Sequence, residues 1–196
     1  MQHGGHGHGA DKYCPKCAAV LEERTIKHGE PRRLVCVACG FVFYLDPKVA
    51  ACTISTLEGG IVLLRRGIEP CVGKWVFPGG FVDRGESVPA AAVRETLEEV
   101  NLRVSLTGIL DVYSFPGQDV VVIVYAADVV GGELQAGDEA EEARAFPPEQ
   151  IPWEDLAFES TRAALKDYLH RFFPRVRIEQ GGAASRPPEA PSRSPK

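Results

Sequence analysis

Apolar and polar residues follow different repeats along the chain, and these repeats predict its secondary structure. Two β-rich runs, 49–57 and 61–66, flank Glu58-Gly59-Gly60 and predict a hairpin. A short strand is expected at 74–77. Residues 88–100 combine good helix formers with an N-terminal serine cap and an early proline, so they predict a helix.

The second half of the chain continues this mixture. Strands are expected at 104–113, 120–128 and 143–146, and residues 160–172 carry apolar side chains at helical spacing. Strands and helices do not alternate strictly, as they would in repeated βαβ units. The pattern therefore predicts an α+β fold, an α/β/α sandwich around a mixed sheet.

Domain boundaries are expected where turn-forming or low-complexity segments interrupt the pattern. With 196 residues and 44% hydrophobic content, the chain has room for one catalytic domain and one small accessory unit. Asp46-Pro47 breaks the chain before the first long apolar run. The predicted divisions are a disordered tail at 1–11, a small unit at 12–44, a larger domain at 45–176 and a second disordered tail at 177–196.

Charge and hydropathy narrow the classes of partner. The formal net charge is −5, which argues against a globally basic nucleic-acid-binding surface. No run of 18 apolar residues and no secretory leader are found, so neither a membrane span nor export is expected. The expected location is the cytoplasm.

Four of the six cysteines form two C-x-x-C pairs, Cys14 with Cys17 and Cys36 with Cys39. The pairs are separated by 18 residues, a spacing typical of four thiolates around one Zn²⁺. A closed site of four thiolates leaves no position for a catalytic water. We therefore expect a structural zinc ribbon, with a packing or dimer-contact role favoured over nucleic-acid binding by its mixed charge.

Three glutamates, Glu95, Glu98 and Glu99, fall on one face of the predicted helix 88–100. They would repel one another without a cation, and Mg²⁺ commonly binds a few carboxylates together with substrate phosphate oxygens. Glu86 and Arg94 are available to pair and brace the preceding loop. The alternative interpretation is a solvated acidic helix.

These residues resemble the Nudix hydrolase family, whose motif is G-x5-E-x7-R-E-U-x-E-E-x-G-U with U apolar. The matching positions are Gly80, Glu86, Arg94, Glu95, Glu98, Glu99 and Leu102. Thr96 stands at an apolar position and Asn101 replaces the last glycine, although asparagine also suits a left-handed helix cap. The resemblance implies an α/β/α sandwich in which Mg²⁺ or Mn²⁺ is held by the three helix glutamates and the Gly80 carbonyl, with Glu86 and Arg94 as support.

Related enzymes often take their general base from a glutamate outside the motif, on a loop after the later strands. In this chain Glu142 best matches the position just before the predicted strand 143–146, and Glu139 comes second. A merely solvated acidic loop is the alternative.

The order of ribbon and catalytic domain resembles NADH pyrophosphatases and the ribbon-bearing ADP-ribose or FAD pyrophosphatases. The proline-rich signature of the first group is missing, whereas Pro116 lies 14 residues beyond Leu102, similar to ADP-ribose pyrophosphatases. ADP-ribose or FAD is therefore the favoured substrate. Candidate stacking residues are Trp75, Phe81, Tyr113 and Phe115, each of which also suits a core position.

Three alternatives stay open. They are an NADH pyrophosphatase, a nucleoside-triphosphate pyrophosphatase, and a Nudix-fold sensor or RNA-binding protein that does not cleave its ligand. The clustered carboxylates disfavour the last of these. A homodimer is possible by analogy with the family.

Overall fold

The computed structural model describes residues 12–174, so both predicted tails lie outside the described residues. The chain divides into two compact units after Pro47. Within the described part, no helix is long and apolar enough to cross a membrane.

The first unit is a small antiparallel sheet of three strands in the order β1-β2-β3. The strands are β1 Leu21–Arg24, β2 Arg33–Cys36 and β3 Val42–Phe43. Within residues 12–47, its buried cluster consists of Cys14, Leu21 and Cys36, and four partly buried side chains pack against it. A core this small cannot stabilise a fold by apolar burial alone, which is the usual reason for a structural metal.

The second unit is built on a mixed sheet whose main strand order is β10-β5-β4-β9-β8. Its strands are β4 Lys48–Leu57, β5 Gly60–Arg66, β6 Trp75–Val76, β7 Gly79–Phe81, β8 Leu102–Tyr113, β9 Val120–Gly132 and β10 Ala140–Phe146. Strands β4 and β9 run parallel, and the other pairs are antiparallel. The short strands β6 and β7 pair with β5 and β4.

Two helices, α1 Val88–Val100 and α2 Glu159–Phe172, cover opposite faces of this sheet. Ala51 of β4 packs in one cluster with Ala91 and Ala92 of α1. Ile54 of β4 packs in another cluster with Leu165 of α2. Because residues an odd number apart in a strand point to opposite faces, the two helices sandwich the sheet. The predicted mixed-sheet fold is confirmed.

Strand bounds differ from the prediction where pairing depends on distant residues. The segment Gly79–Phe81, which follows the predicted strand 74–77 and for which no strand was predicted, is strand β7 and pairs with β4. At Gly79 a Cβ atom would lie 2.4 Å from the Cys52 sulfur, so only glycine permits this approach. Strand β10 begins at Ala140, which places Glu142 inside the strand and not before it.

Candidate active site

Helix α1 is bounded by local capping on both sides. The Ser87 hydroxyl accepts a hydrogen bond from the Ala90 N–H at 3.4 Å, and Pro89 occupies the first turn, where it leaves no hydrogen bond unmade. Asn101 ends the helix in the left-handed region with a φ of 55°. The sequence thus fixes the length and phase of the helix that carries the three glutamates.

Arg94 organises the front of this helix. Its guanidinium donates to both carboxylate oxygens of Glu86, at 2.9 and 2.8 Å, which is the strong bidentate geometry. The same group donates to Glu95 at 2.8 Å and to Glu98 at 3.0 Å. It also reaches the Phe81 carbonyl at 3.3 Å. Hydrogen bonding to Arg94 is the main cause that lowers the pKa of Glu86.

Strand β7, which precedes the helix, comes within contact distance of the helix carboxylates through its two glycines. The Gly79 N–H donates to Glu99 Oε2 at 2.7 Å. At Gly80 a Cβ atom would lie 2.6 Å from the carboxylate of Glu95, so a side chain there would collide with it. The two glycines therefore allow strand β7 to lie directly on the acidic face of α1.

The three helix carboxylates offer oxygen atoms, which are the ligands that divalent cations such as Mg²⁺ bind. Glu95, Glu98 and Glu99 each use one carboxylate oxygen in the bonds described above, and the other makes no hydrogen bond to the described part of the chain. The carboxylate oxygens of these three residues lie farther from one another than the sulfurs of the ribbon do. Within residues 12–174, the four ribbon cysteines are the only group of three or more such residues whose ligand atoms all lie within 4.8 Å of one another. Oxygen donors of this kind are what Mg²⁺ and Mn²⁺ prefer.

The surroundings of the acidic face of α1 disfavour the ionised form of two of its carboxyl groups, Glu95 and Glu99. Burial raises the pKa of Glu99 to about 7, and the charges of Glu95 and Glu139 add to the effect, against the opposing influence of the Gly79 N–H and of Arg66. Burial also raises the pKa of Glu95, with smaller contributions from Glu98 and Glu139. A bound cation would remove this penalty.

The two candidate general bases lie in different surroundings. Glu142 is opposite Arg65 in the β10–β5 ladder, and their charged groups are 3.5 Å apart. Glu139 lies in the loop before β10, and its carbonyl accepts the Gly67 N–H at 2.8 Å. Of these two glutamates, Glu139 is the one whose charge raises the pKa of both Glu95 and Glu99.

The four aromatic candidates differ in exposure. Phe81 is 49% exposed, with the Lys48 ammonium 4.7 Å from its ring centroid. Trp75 is half-buried and meets Phe146 edge to face, with 4.7 Å between ring centroids. Phe115 is partly buried against the α2-side core. Tyr113 is only 7% exposed, and its hydroxyl donates to Asp167 at 2.8 Å. Its side chain is therefore part of the core.

The four cysteines of the first unit converge as the spacing predicted. Their sulfurs all lie within 4.8 Å of one another, with separations of 3.7, 3.4 and 3.5 Å for Cys14–Cys39, Cys17–Cys36 and Cys17–Cys39. Sulfurs bound tetrahedrally at the usual Zn–S distance are about 3.8 Å apart. The donor set and its spacing fit a zinc ion.

Comparison with known families matches both units. The NUDIX domain model matches residues 45–169, which is more than half of the chain, and the Nudix N-terminal zinc-ribbon model matches residues 12–45. The chain belongs to the Nudix hydrolase family. It is therefore an enzyme of the Nudix type with an N-terminal zinc ribbon.

Individual relatives of this Nudix chain carry different names. It is 42% identical over 130 residues to an ADP-ribose pyrophosphatase of Methanocaldococcus jannaschii, covering 64% of this chain and 75% of that protein. It is 27% identical to the NAD-capped RNA hydrolase NudC of Stutzerimonas stutzeri, covering 82% of this chain but only 56% of the relative. A crystal structure of a NUDIX hydrolase from Nitrosomonas europaea is 33% identical with a TM-score of 0.79, covering 84% of this chain and 93% of that one.

Two residues near the Nudix motif, Arg66 and Gly137, were not predicted from the sequence. The Arg66 charge opposes the raised pKa of Glu99, and Gly137 lies against the end of α1. No local pattern marks either residue as part of the site. Both depend on contacts between segments far apart in the chain.

Proposed function

We propose that this enzyme hydrolyses the diphosphate of a nucleoside diphosphate linked to a second group, with ADP-ribose or FAD as substrate and AMP as one product. The observation that carries this proposal is the acidic face of α1, where Glu95, Glu98 and Glu99 share one side of the helix. Strand β7 lies against Glu95 and Glu99, and burial raises the pKa of these two carboxyl groups. The 42% identity to a protein named ADP-ribose pyrophosphatase supports the choice of substrate.

In this proposal Glu95, Glu98 and Glu99, with the Gly80 carbonyl, hold Mg²⁺ or Mn²⁺. The bound metal supplies charge neutralisation at the diphosphate and lowers the pKa of the attacking water. Arg94 keeps two of these carboxylates in place through its hydrogen bonds, and its bidentate pair with Glu86 anchors the loop. Both residues act as positioning groups.

Glu139 is our candidate for the group that accepts the proton of the attacking water. Its charge raises the pKa of both Glu95 and Glu99, and its segment leads from the end of α1 to the end of β5. Glu142, the other candidate, is paired with Arg65 and would have to leave that pair to act. These observations support Glu139 over Glu142.

We assign substrate recognition to the exposed aromatic side chain at the end of strand β7. Phe81 follows Gly80 directly, is half exposed and already carries a cation over its ring, so it suits an adenine or flavin ring near a phosphate. Trp75 and Phe115, two of the other candidates, are partly buried against the α2-side core and offer less surface for stacking. Tyr113 is not part of this proposal because its hydroxyl and ring are committed to the core.

The first experiment follows the hydrolysis of ADP-ribose, FAD, NADH, a nucleoside triphosphate and an NAD-capped RNA, each with Mg²⁺ or Mn²⁺, by chromatographic separation of the products. The capped RNA is included because relatives named NAD-capped RNA hydrolases align with most of this chain. Preferred cleavage of ADP-ribose or FAD that is lost in Glu98→Gln supports the proposal. Preferred cleavage of capped RNA would replace the substrate, and tight binding without turnover would favour a sensor.

The same assay separates the two base candidates. Glu139→Gln should lower kcat about 10²- to 10⁴-fold, the range for losing a positioned general base. Glu142→Gln is the matched control, since it neutralises a carboxylate three residues away, and it should keep most of its activity. The reverse order would assign the base to Glu142.

We also propose that the ribbon binds one structural Zn²⁺ through Cys14, Cys17, Cys36 and Cys39. The sulfur separations and the very small apolar cluster of this unit support it. A homodimer stays a prediction, which sedimentation velocity of the full chain would test.

A further inference from the structure

Helix α1 ends on a residue that does more than stop the helix. Asn101 takes the left-handed conformation, with φ 55° and ψ 27°, and its backbone N–H bonds the Leu97 carbonyl. Its side-chain amide donates to the Glu133 carbonyl at 2.9 Å, joining two segments 32 residues apart. The Nudix motif has glycine at this position, and glycine would supply the conformation without this bond.

The bond fastens the start of a loop, residues 133–139, that continues along the last turn of the helix. The Gln135 N–H donates to the Val100 carbonyl at 3.2 Å, and the Gly137 N–H donates to the Glu99 carbonyl at 2.9 Å. At Gly137 a Cβ atom would lie 2.0 Å from the Glu98 carbonyl oxygen. The loop backbone therefore lies directly on the carbonyls that α1 leaves unpaired.

The other end of the loop leads to the proposed base. The Ala140 N–H bonds the Gly137 carbonyl at 3.1 Å, and the Glu139 carbonyl accepts from Gly67, just after β5, at 2.8 Å. Glu139 is thus held between the end of α1 and the end of β5. Its place relative to the metal-binding face depends on how firmly the loop lies on the helix.

We infer that Asn101 is a positioning residue, whose side-chain amide holds the loop 133–139 against α1 and so keeps Glu139 in register with Glu95 and Glu99. This inference rests on the proposed role of Glu139. Asn101 and the metal ligands share one rigid helix, and the amide gives the loop a bond to that helix through a side chain. In a chain with glycine here, the loop would keep only its backbone bonds.

Two substitutions test the role. Asn101→Gly keeps the left-handed cap and the backbone bond to Leu97, so α1 should form as before. Asn101→Asp keeps the size and cap preference, but its carboxylate cannot donate to Glu133. Both should lower kcat for ADP-ribose about three- to tenfold, as expected for losing one hydrogen bond, with KM and the Mg²⁺ dependence unchanged.

A double-mutant cycle with Glu139→Gln shows whether the Asn101 substitutions lower kcat by displacing Glu139. If Asn101 acts by placing Glu139, Asn101→Gly should have little further effect on kcat once Glu139 is glutamine. A glycine variant with wild-type activity overturns the inference. So does an equal loss in both backgrounds, because it would mean that Asn101 acts elsewhere.

Hydrogen exchange separates this inference from the proposed function. Asn101→Gly should speed exchange at the amides of Gln135 and Gly137, while exchange within α1 stays as in the wild type. This readout needs no turnover, so it holds even if every substrate in the panel fails. If exchange at the two amides is unchanged, the Asn101 amide does not hold the loop against α1. The inference then fails whichever substrate the enzyme hydrolyses.

Discussion

Replacing Glu99 by glutamine should stabilise the magnesium-free enzyme at pH 8. Burial raises the pKa of this carboxyl from 4.5 to about 7 in the folded chain, and the charges of Glu95 and Glu139 act in the same direction. Glutamine removes the charge and keeps an oxygen that can accept the Gly79 N–H. The variant therefore keeps the neutral form that the folded protein prefers.

The sign and the size of this change in stability follow from the difference between the pKa of Glu99 in the folded chain and in the unfolded chain. Below pH 4.5 Glu99 is protonated in both folded and unfolded chains, so its ionisation costs the fold nothing. Between pH 4.5 and 7 the unfolded chain ionises first, and the folded chain loses stability as the pH rises through its own pKa. A difference of roughly 2.5 in pKa corresponds to about 3 kcal/mol, which shifts the Tm by about 6–12 °C for a domain of this size.

Thermal unfolding followed by circular dichroism at pH 5 and pH 8 measures this difference. The buffer should lack Mg²⁺ and contain no chelator, so that the proposed ribbon zinc is not removed. Glu98→Gln is the matched control, because the Glu98 side chain is 57% exposed and its neutralisation should change the Tm little. Adding Mg²⁺ should raise the Tm of the wild type and leave that of Glu99→Gln unchanged.

Two outcomes would refute the reasoning. One is a Glu99→Gln variant that melts at or below the wild-type temperature at pH 8. The other is an advantage of equal size at pH 5, because the penalty should largely vanish there as the folded wild type takes up a proton. Either result would mean that burial of the Glu99 charge does not control the stability of this site.

Three further predictions concern other parts of the molecule. Gly80→Ala should lower kcat/KM at least about tenfold with unchanged far-UV circular dichroism, because its Cβ would displace the Glu95 carboxylate; full activity would contradict this. Thr96→Val should lower the free energy of unfolding in urea by about 1–3 kcal/mol, because it leaves the buried Thr53 hydroxyl, now 2.7 Å from that of Thr96, without a partner. The double substitution of both threonines by valine should recover most of that loss, and a deficit as large as the single variant's would count against the pairing. Chelation should release one zinc per chain and collapse the dispersed amide NMR signals of the ribbon, whereas signals that stay dispersed after chelation would exclude a structural zinc.

Sequence alone determined the features whose causes are local. Helix α1 was predicted with its observed bounds, because Ser87, Pro89 and Asn101 act within a few residues of the turns they start or stop. The four ribbon cysteines lie together as predicted, because two C-x-x-C pairs at this spacing are typical of four thiolates around one metal ion. The acidic face of α1 followed from the helical repeat.

Only the tertiary structure decided the features that depend on register between distant strands. The strand at Gly79–Phe81 exists because β4 offers it a partner, although two glycines in a row predict a turn. The early start of β10 puts Glu142 opposite Arg65 and leaves Glu139 in the loop beside α1. A strand that begins three residues earlier than predicted changes which carboxylate we propose as the general base, because no local pattern records where a strand meets its partner.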